Sequence, residues 1–244
     1  MRIGGFQRAS LIDYSGKVCA VVFAQGCNFR CPYCHNPELV YPELFNNPIP
    51  DKEILAFLEK RKGLIDGVVI TGGEPLLQPD VEGFIKEVKE MGYAVKLDTN
   101  GSKPQKLKAL LVENLIDYIA MDYKSPLEKY SSIVHAEVNI DDIRKTLRML
   151  VESGLPYEVR TTLFRGLTMD DVLRMMKELN NYGVENYYLQ MGIYRKTKDF
   201  DKSFVGDMPL LFESLRKKFK QYGFRNLNEK FLTELESDSK GTRC

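Results

Sequence analysis

Three cysteines lie within eight residues of one another, in the stretch GCNFRCPYCHN. Cys27, Cys31 and Cys34 follow the spacing C-x3-C-x2-C, which is too close for a sensible disulfide framework. Thiolates are soft ligands that suit zinc or iron-sulfur clusters. Two kinds of metal centre therefore stay open: a structural zinc site completed by His35, or a four-iron cluster with three cysteine ligands and one iron left free.

Further polar residues follow short apolar stretches later in the chain. They are Gly72, Gly73 and Glu74 in TGGEP, Asp98 and Thr99 in DTNG, Asp122 and Lys124 in MDYK, and then Arg160 and Gln190. In parallel α/β proteins, chemistry collects at the carboxyl ends of the strands, where the βα loops begin. We therefore expect these side chains to share one mouth with the cysteines.

The elements that must position these residues follow a regular alternation of apolar, β-rich stretches with segments of helical period. The predicted strands are residues 18–26, 67–73, 93–101, 118–124, 157–164 and 186–192. The predicted helices are residues 52–63, 80–92, 104–115, 140–154, 169–183 and 208–223. Nearly continuous apolar strands are typical of a sheet covered on both faces. The alternation predicts an α/β fold with a parallel sheet and right-handed crossovers, open or curled into a barrel.

Composition indicates one ordinary globular domain. The chain has 244 residues, of which 43% are hydrophobic and 28% charged, so it can bury one sizeable core. No break in composition divides it, and we expect a single domain over residues 1–232 and a flexible polar tail over residues 233–244. Cys19, within an apolar stretch, is expected to be a buried small side chain.

Charge and hydropathy limit the partners. The formal net charge is +1, which does not call for a nucleic acid partner. No apolar stretch approaches the roughly 20 residues that span a bilayer, and the odd number of cysteines favours a reducing compartment. The sequence therefore predicts a cytoplasmic protein with no membrane association.

Taken together, the motifs resemble those of a known family. The stretch CNFRCPYC has the cysteine spacing, and the aromatic residue before the last cysteine, that mark radical S-adenosylmethionine enzymes. With GGEPLLQ, LDTNG and MDYK, it resembles the activating enzymes of glycyl-radical enzymes, typified by pyruvate formate-lyase activating enzyme. The opening of the chain resembles most closely the anaerobic ribonucleoside-triphosphate reductase activating proteins. The resemblance covers about residues 3–190 and implies a partial (β/α)6 parallel barrel of the radical S-adenosylmethionine type.

The resemblance also implies a reaction. A 4Fe-4S cluster held by Cys27, Cys31 and Cys34 would offer its open iron to the methionyl amino and carboxylate groups of S-adenosylmethionine. The reduced cluster would split this cofactor into methionine and a 5′-deoxyadenosyl radical, which removes a hydrogen atom from a glycine of a partner enzyme. The implied partner is an anaerobic ribonucleotide reductase, and the implied electron donor is a flavodoxin or a ferredoxin. We expect modest affinity for the partner and a monomer when the chain is alone.

The same resemblance assigns roles to the polar residues. Gly72, Gly73 and Glu74 would bind the methionyl group, and Tyr33 and His35 would contact the adenine. Asp98, Thr99, Asp122 and Lys124 would contribute to the cofactor site and to a possible monovalent cation.

Each of these roles has a structural alternative: Glu74 could be a solvated turn residue, Asp98 could cap a turn, and Lys124 could be solvated. Arg160 lies among apolar strand residues, where an unpaired guanidinium is unfavourable, so we expect a carboxylate partner. The chain departs from pyruvate formate-lyase activating enzyme late in the barrel, where a histidine contacts the cofactor and this chain offers Gln190 instead.

Two other hypotheses remain at the level of sequence. One is a radical S-adenosylmethionine enzyme that acts on a small molecule, as the carboxy-deazaguanine synthases do. The other is a non-enzymatic zinc or electron-transfer module. This hypothesis does not explain the motifs at the other strand ends.

Overall fold

A single eight-stranded sheet organises the chain in the computed structural model, which describes residues 1–192 and 202–225. The strands, in chain order, are β1 (Ile3–Ser10), β2 (Cys19–Ala24), β3 (Gly67–Gly72), β4 (Ala94–Thr99), β5 (Tyr118–Asp122), β6 (Tyr157–Leu163), β7 (Asn186–Met191) and β8 (Gln221–Arg225). Their spatial order is the same as their order in the chain. The first strand pairs antiparallel with β2, and every later pairing, from β2 to β8, is parallel.

Helices connect the parallel strands. They are α1 (Asp51–Glu59), α2 (Val81–Glu90), α3 (Pro104–Val112), α4 (Tyr130–Val134), α5 (Ile140–Glu152), α6 (Met169–Asn181) and α7 (Met208–Lys218). This confirms the predicted α/β class and all six predicted parallel strands. The fold is that of a partial parallel barrel, with β1 and β8 as additional strands that the alternation did not reveal.

The end of the last helix differs from the prediction. A helix over residues 208–223 was expected, but α7 ends at Lys218, because Phe219 adopts an extended backbone (φ −124°, ψ 146°). Residues 221–225 then pair with β7. The predicted tail at residues 233–244, and Cys244 within it, lie outside the described residues.

The two faces of the sheet have different chemistry. In β2 and β3, side chains such as Val22, Val68 and Ile70 are completely buried in the main core. On β4, by contrast, Lys96 and Asp98 alternate with the buried Val95 and Leu97, so that one face of this strand is charged. Since successive side chains point to opposite faces of a strand, the core and the charged interior are built from the same strands.

The carboxyl ends of the parallel strands share one edge of the sheet. The loop from β2 to α1, residues 25–50, is anchored there and contains two short 3-10 turns, Pro37–Leu39 and Pro42–Leu44. It carries the three clustered cysteines. Within the described ranges, no helix is both long and apolar enough to cross a membrane.

Candidate active site

One cleft at this edge brings together nearly all of the residues that the sequence singled out. Its lining comprises Cys27, Cys31, Tyr33, Cys34, His35, Gly72, Gly73, Asp98, Thr99, Asp122, Lys124 and Gln190, together with Phe29, Asn36, Val40, Thr71, Asn100 and Thr162. The ends of six strands, β2 to β7, contribute to it. Two of the singled-out residues, Glu74 and Arg160, lie behind the wall of the cleft rather than in its lining.

The cysteine loop is fixed to the barrel by its backbone. The Gly26 amide donates to the Leu39 carbonyl at 2.6 Å, and the Glu74 amide donates to the Gly26 carbonyl at 2.8 Å. Further along, the Arg30 amide donates to the carbonyl of Val134 in α4 at 2.8 Å, while the Arg30 guanidinium donates to the Cys27 carbonyl at 2.7 Å. The barrel therefore holds the loop at both of its ends through backbone hydrogen bonds.

The donor set of the loop fits an iron-sulfur cluster. Cys27, Cys31 and Cys34 are free thiols that open on the same cleft. Backbone and side-chain N–H groups already point at one of them, since Phe29 N lies 3.4 Å and Asn100 Nδ2 lies 3.9 Å from Cys27 Sγ. Such donors are typical around cluster sulfurs. Over residues 1–192 and 202–225, no three His, Cys, Asp or Glu side chains are arranged to hold a single metal ion.

The cleft is unfavourable for a bare thiolate. Burial raises the pKa of Cys27 to about 12, against the hydrogen bond from Phe29, and burial also raises the pKa of Cys31. A coordinating metal deprotonates a thiol outright, because the charge of the metal replaces the missing solvation. These two thiols are therefore protonated until iron displaces the proton.

Gly72 and Gly73 allow the end of β3 to approach the cysteine loop. Gly72 has φ +113°, and a Cβ on it would lie 2.5 Å from the Ala24 backbone; a Cβ on Gly73 would lie 2.1 Å from the Gly26 carbonyl oxygen. No side chain fits at either position. The resemblance assigns these glycines to the methionyl group, and the structure shows that they also allow β3 to pack closely against the cysteine loop.

Glu74 joins the ends of β3 and β4. It is completely buried, so it is not the solvated turn residue of the structural alternative. One oxygen accepts from Leu76 N at 3.0 Å and Thr99 Oγ1 at 2.8 Å, and the other accepts from Asn100 N at 2.7 Å. Burial raises the pKa of Glu74 to about 7, although these three donors favour the charged form. The carboxylate does not line the cleft, but it holds Thr99 and Asn100, which do.

Arg160 has the carboxylate partners that its position in the sequence required. Its guanidinium lies 2.9 Å from Asp122, 3.3 Å from Asp98 and 3.6 Å from Glu158, and its side chain is only 12% exposed. The prediction of a carboxylate partner is confirmed. Asp98 and Asp122 also line the cleft, and together with Lys124 they form what we call its charged floor. Arg160 lies behind these residues and offsets part of their negative charge.

Lys124 completes this charged floor. Its ammonium lies 3.0 Å from Asp122 Oδ2 and its side chain is 15% exposed, so it is not solvated. Burial alone would raise the pKa of Asp122, but Arg160 and Lys124 outweigh burial and hold it well below its usual range. Burial would lower the pKa of Lys124, but the Asp122 carboxylate raises it. Both groups therefore keep their charges over the whole ordinary pH range.

The rim opposite this floor is aromatic and polar. The Tyr33 ring packs on Phe164 with ring centroids 4.0 Å apart, and His35 is exposed beside it. Gln190, at the end of β7, donates from Nε2 to Thr162 Oγ1 at 2.7 Å. Tyr33, His35 and Gln190 line the same cleft as Asp98, Asp122 and Lys124.

Two residues of the cleft, Asn100 and Thr162, are not predicted from the sequence as site residues. Asn100 lies within the DTNG motif, and its side-chain amide contacts Cys27. Thr162 was not considered, although it occupies the same face of β6 as Arg160 two residues earlier. Strand alternation from Arg160 would have identified it.

The fold and the cleft define a class: a parallel α/β barrel with a three-thiol site at the carboxyl ends of its strands. Comparison with known proteins agrees, because residues 21–179 match the model of the radical SAM superfamily. The chain belongs to the radical S-adenosylmethionine superfamily. It is therefore an enzyme of this class, and the family implies a 4Fe-4S cluster and S-adenosylmethionine as its cofactors. Membership decides against the non-enzymatic module.

Relatives within the superfamily have different activities. A protein of Methanocaldococcus jannaschii with the provisional name glycyl-radical enzyme activating enzyme is 31% identical over 76% of this chain and 79% of its own length. The 7-carboxy-7-deazaguanine synthase of Methanopyrus kandleri is 30% identical over 72% of this chain and 74% of its own. The pyruvate formate-lyase-activating enzyme of Staphylococcus aureus is 29% identical over 72% and 76%.

A solved structure supports the fold. Streptococcus suis SuiB bound to S-adenosylmethionine aligns with a TM-score of 0.66 at 16% identity, over 87% of this chain. This chain spans about half the length of that protein, 51%. At such identity the likeness shows the barrel and no more.

Proposed function

We propose that this chain reductively cleaves S-adenosylmethionine and generates a glycyl radical on a partner enzyme, an anaerobic ribonucleoside-triphosphate reductase. The observation that carries the proposal is the opening of three free thiols, on one loop, into a cleft with a charged floor. The bound cluster and cofactor supply a carbon-centred radical that can remove a hydrogen atom. The chain itself binds, orients and shields these groups.

In this proposal, Cys27, Cys31 and Cys34 hold the cluster and leave its fourth position to the methionyl group. Gly72 and Gly73 form the adjoining wall, where no side chain intervenes between backbone and ligand. Glu74 acts from behind this wall, because its carboxylate is already occupied by three donors.

The charged floor suits a zwitterionic ligand that also carries a sulfonium. Lys124 offers a cation to a carboxylate, while Asp98 and Asp122 offer negative charge to an ammonium or a sulfonium. Arg160 keeps both carboxylates in place. A monovalent cation would have to share Asp98, Thr99 and Asp122 with these two cationic side chains.

The remaining residues of the proposed cofactor site lie on the rim. Tyr33 and His35 are assigned to the adenine, and Gln190 takes the place of the family's late histidine. Gln190 donates to Thr162, which ties its side chain to β6 at the edge of the cleft.

A protein substrate is favoured by the shape of the mouth. Residues 36–50 form a rim of extended chain and short turns beside the cysteines, and they add no lid of secondary structure over the cleft. A flexible glycine loop of a partner can enter such a mouth. Contact must be transient, since the radical leaves with the partner, so we propose modest affinity and a monomeric chain when alone. A flavodoxin or a ferredoxin would supply the electron.

The deciding experiment mixes the anaerobically reconstituted chain with S-adenosylmethionine, a reductant and the anaerobic ribonucleotide reductase of the same host. Electron paramagnetic resonance should show a glycyl doublet. The doublet should vanish when the radical glycine of the reductase is changed to alanine, and when Cys31→Ala replaces the wild-type chain.

A second candidate function is favoured by the deazaguanine-synthase relative, which matches a similar share of the chain. Absence of the doublet, together with turnover of a purine-like small molecule, would transfer the assignment to a small-molecule enzyme.

A further inference from the structure

The sulfur of Cys27 accepts a hydrogen bond from a side-chain amide. Asn100 Nδ2 lies 3.9 Å from Cys27 Sγ, and the Phe29 amide lies 3.4 Å from the same atom. Asn100 belongs to the loop after β4 and is only 5% exposed. The contact therefore joins two loops in a region that contains little solvent.

The direction of the Asn100 amide is fixed by its neighbours. Its Oδ1 accepts from Ser102 N at 3.0 Å, which requires the oxygen at that end, and its Nδ2 donates to Asn28 Oδ1 at 3.0 Å. Asn28 Nδ2 donates in turn to Ser102 Oγ at 3.0 Å, so that Asn28, Asn100 and Ser102 form one network. Rotation of the Asn100 amide by 180° would break two of these bonds, so the N–H group must face the sulfur.

The backbone of Asn100 is fixed as well. Its N–H donates to the buried Glu74 carboxylate at 2.7 Å. Main chain and side chain are therefore both anchored, and the N–H dipole is held toward Cys27 without further reorganisation.

We propose that Asn100 is a positioning residue that raises the reduction potential of the cluster by donating a hydrogen bond to the Cys27 thiolate. The proposal rests on the assignment of a cluster to the three cysteines. Addition of one electron makes the cluster and its thiolates more negative. An N–H dipole directed at a thiolate sulfur stabilises the reduced form more than the oxidised form, and burial strengthens the effect. Asn28 and Ser102 act by orienting this donor.

The test measures the potential directly. Wild type, Asn100→Ala, Asn100→Asp and the control Asn181→Ala are reconstituted anaerobically, and each is titrated with dithionite while the reduced cluster is followed by electron paramagnetic resonance. Asn181 is exposed at the end of α6 and does not line the cleft. Asn100→Asp keeps the acceptor for Ser102 and removes the donor.

For Asn100→Ala we expect the equilibrium for one-electron reduction to become about threefold to tenfold less favourable, as for loss of one hydrogen bond. At 59 mV per tenfold change for one electron, this is a potential lower by about 30 to 60 mV. Asn100→Asp should shift the potential further in the same direction, because it adds a negative charge. Asn181→Ala should match wild type.

Equal potentials in wild type and both Asn100 variants would overturn the inference. A wild-type chain that assembles no cluster would instead refute the proposed function. If neither Asn100 variant retains a cluster, wild type labelled with ¹⁵N-asparagine decides: electron-nuclear double resonance of the reduced cluster should show a ¹⁵N coupling, and its absence would refute the role of Asn100.

Discussion

The carboxylate of Glu74 accepts the backbone N–H of Asn100 at 2.7 Å, and so binds the end of β3 to the end of β4. Its other oxygen accepts from Leu76 and Thr99. The GGEP and DTNG motifs, separate in the sequence, are therefore two halves of one wall. Glu74 of GGEP therefore fixes the backbone of Asn100 in DTNG.

Replacement of Glu74 tests this wall. In Glu74→Gln, an amide nitrogen must face a donor that now has no acceptor, so we expect a loss of about 1–3 kcal/mol in the free energy of unfolding. Glu74→Ala should also weaken the binding of S-adenosylmethionine while the cluster still assembles. Calorimetric titration with the cofactor and urea unfolding measure the two effects. Glu90→Gln, at the exposed end of α2, is the matched control; undiminished cofactor binding by Glu74→Ala would contradict the prediction.

A methyl group at Gly73 tests the contact between β3 and the cysteine loop. Its Cβ would lie 2.1 Å from the Gly26 carbonyl, so Gly73→Ala should displace the loop and reduce the iron content after reconstitution. Gly83→Ala, in the first turn of α2 with open space around it, should instead stabilise the chain by about 0.4–1 kcal/mol. Iron analysis and thermal unfolding distinguish these outcomes. Wild-type iron content in Gly73→Ala would show that the loop is free to move.

Arg160 is predicted to contribute to stability. Arg160→Met removes the cation that Asp98, Asp122 and Glu158 share, while Lys96, Lys124 and Arg225 still pair with these carboxylates, so we expect a loss of about 1–3 kcal/mol in the free energy of unfolding. Urea unfolding of the cluster-free chain measures the change. Arg144→Met removes an exposed ion pair with Asp141 and should leave the unfolding curve unchanged. Similar midpoints for the two variants would mean that the network contributes little.

Cluster assembly should depend on pH. Burial raises the pKa of Cys27 to about 12 and also raises the pKa of Cys31, so both thiols bind a proton at neutral pH that iron must displace. The apparent affinity for the cluster should therefore rise with pH from 7 to 8, by about tenfold for each thiol that remains protonated. Reconstitution in competition with an iron chelator at both pH values measures this. Equal affinity at the two values would mean that the thiols are already ionised.

The cysteine ligands have a simple signature in mutants. Cys27→Ala, Cys31→Ala and Cys34→Ala should each abolish the cluster, since each removes one of three protein ligands. Cys19→Ala should retain it, because Cys19 is completely buried in the sheet and does not line the cleft. Iron and sulfide analysis after anaerobic purification is sufficient. Stoichiometric zinc without iron in the wild-type chain would refute the assignment.

The sequence predicts the features that follow directly from residue type. The six parallel strands follow from their apolar stretches, and the cleft follows from the rule that strand ends meet. The charged partners of Arg160 follow from the unfavourable burial of a guanidinium. β1 was not foreseen, since its exposed Gln7 and Arg8 give it no strong apolar pattern. β8 was not foreseen either, because Lys217, Lys218 and Lys220 continue into it without a break in composition.

The sequence could not reveal how Glu74 and Asn100 are used. Glutamate and asparagine are both common in solvated turns. These two residues are buried because β3 and β4 are neighbours in the sheet. The role of a polar side chain depends on which donors surround it, and that is a property of the tertiary fold.

The backbone bonds that tie Gly26 to Leu39 and Glu74 have a consequence for iron delivery. Because the loop is already ordered by its contacts with the barrel, the conformational entropy of ordering it is lost during folding and not when the metal arrives. Loading should therefore proceed without the coil-to-fold transition that accompanies metal capture by small zinc domains.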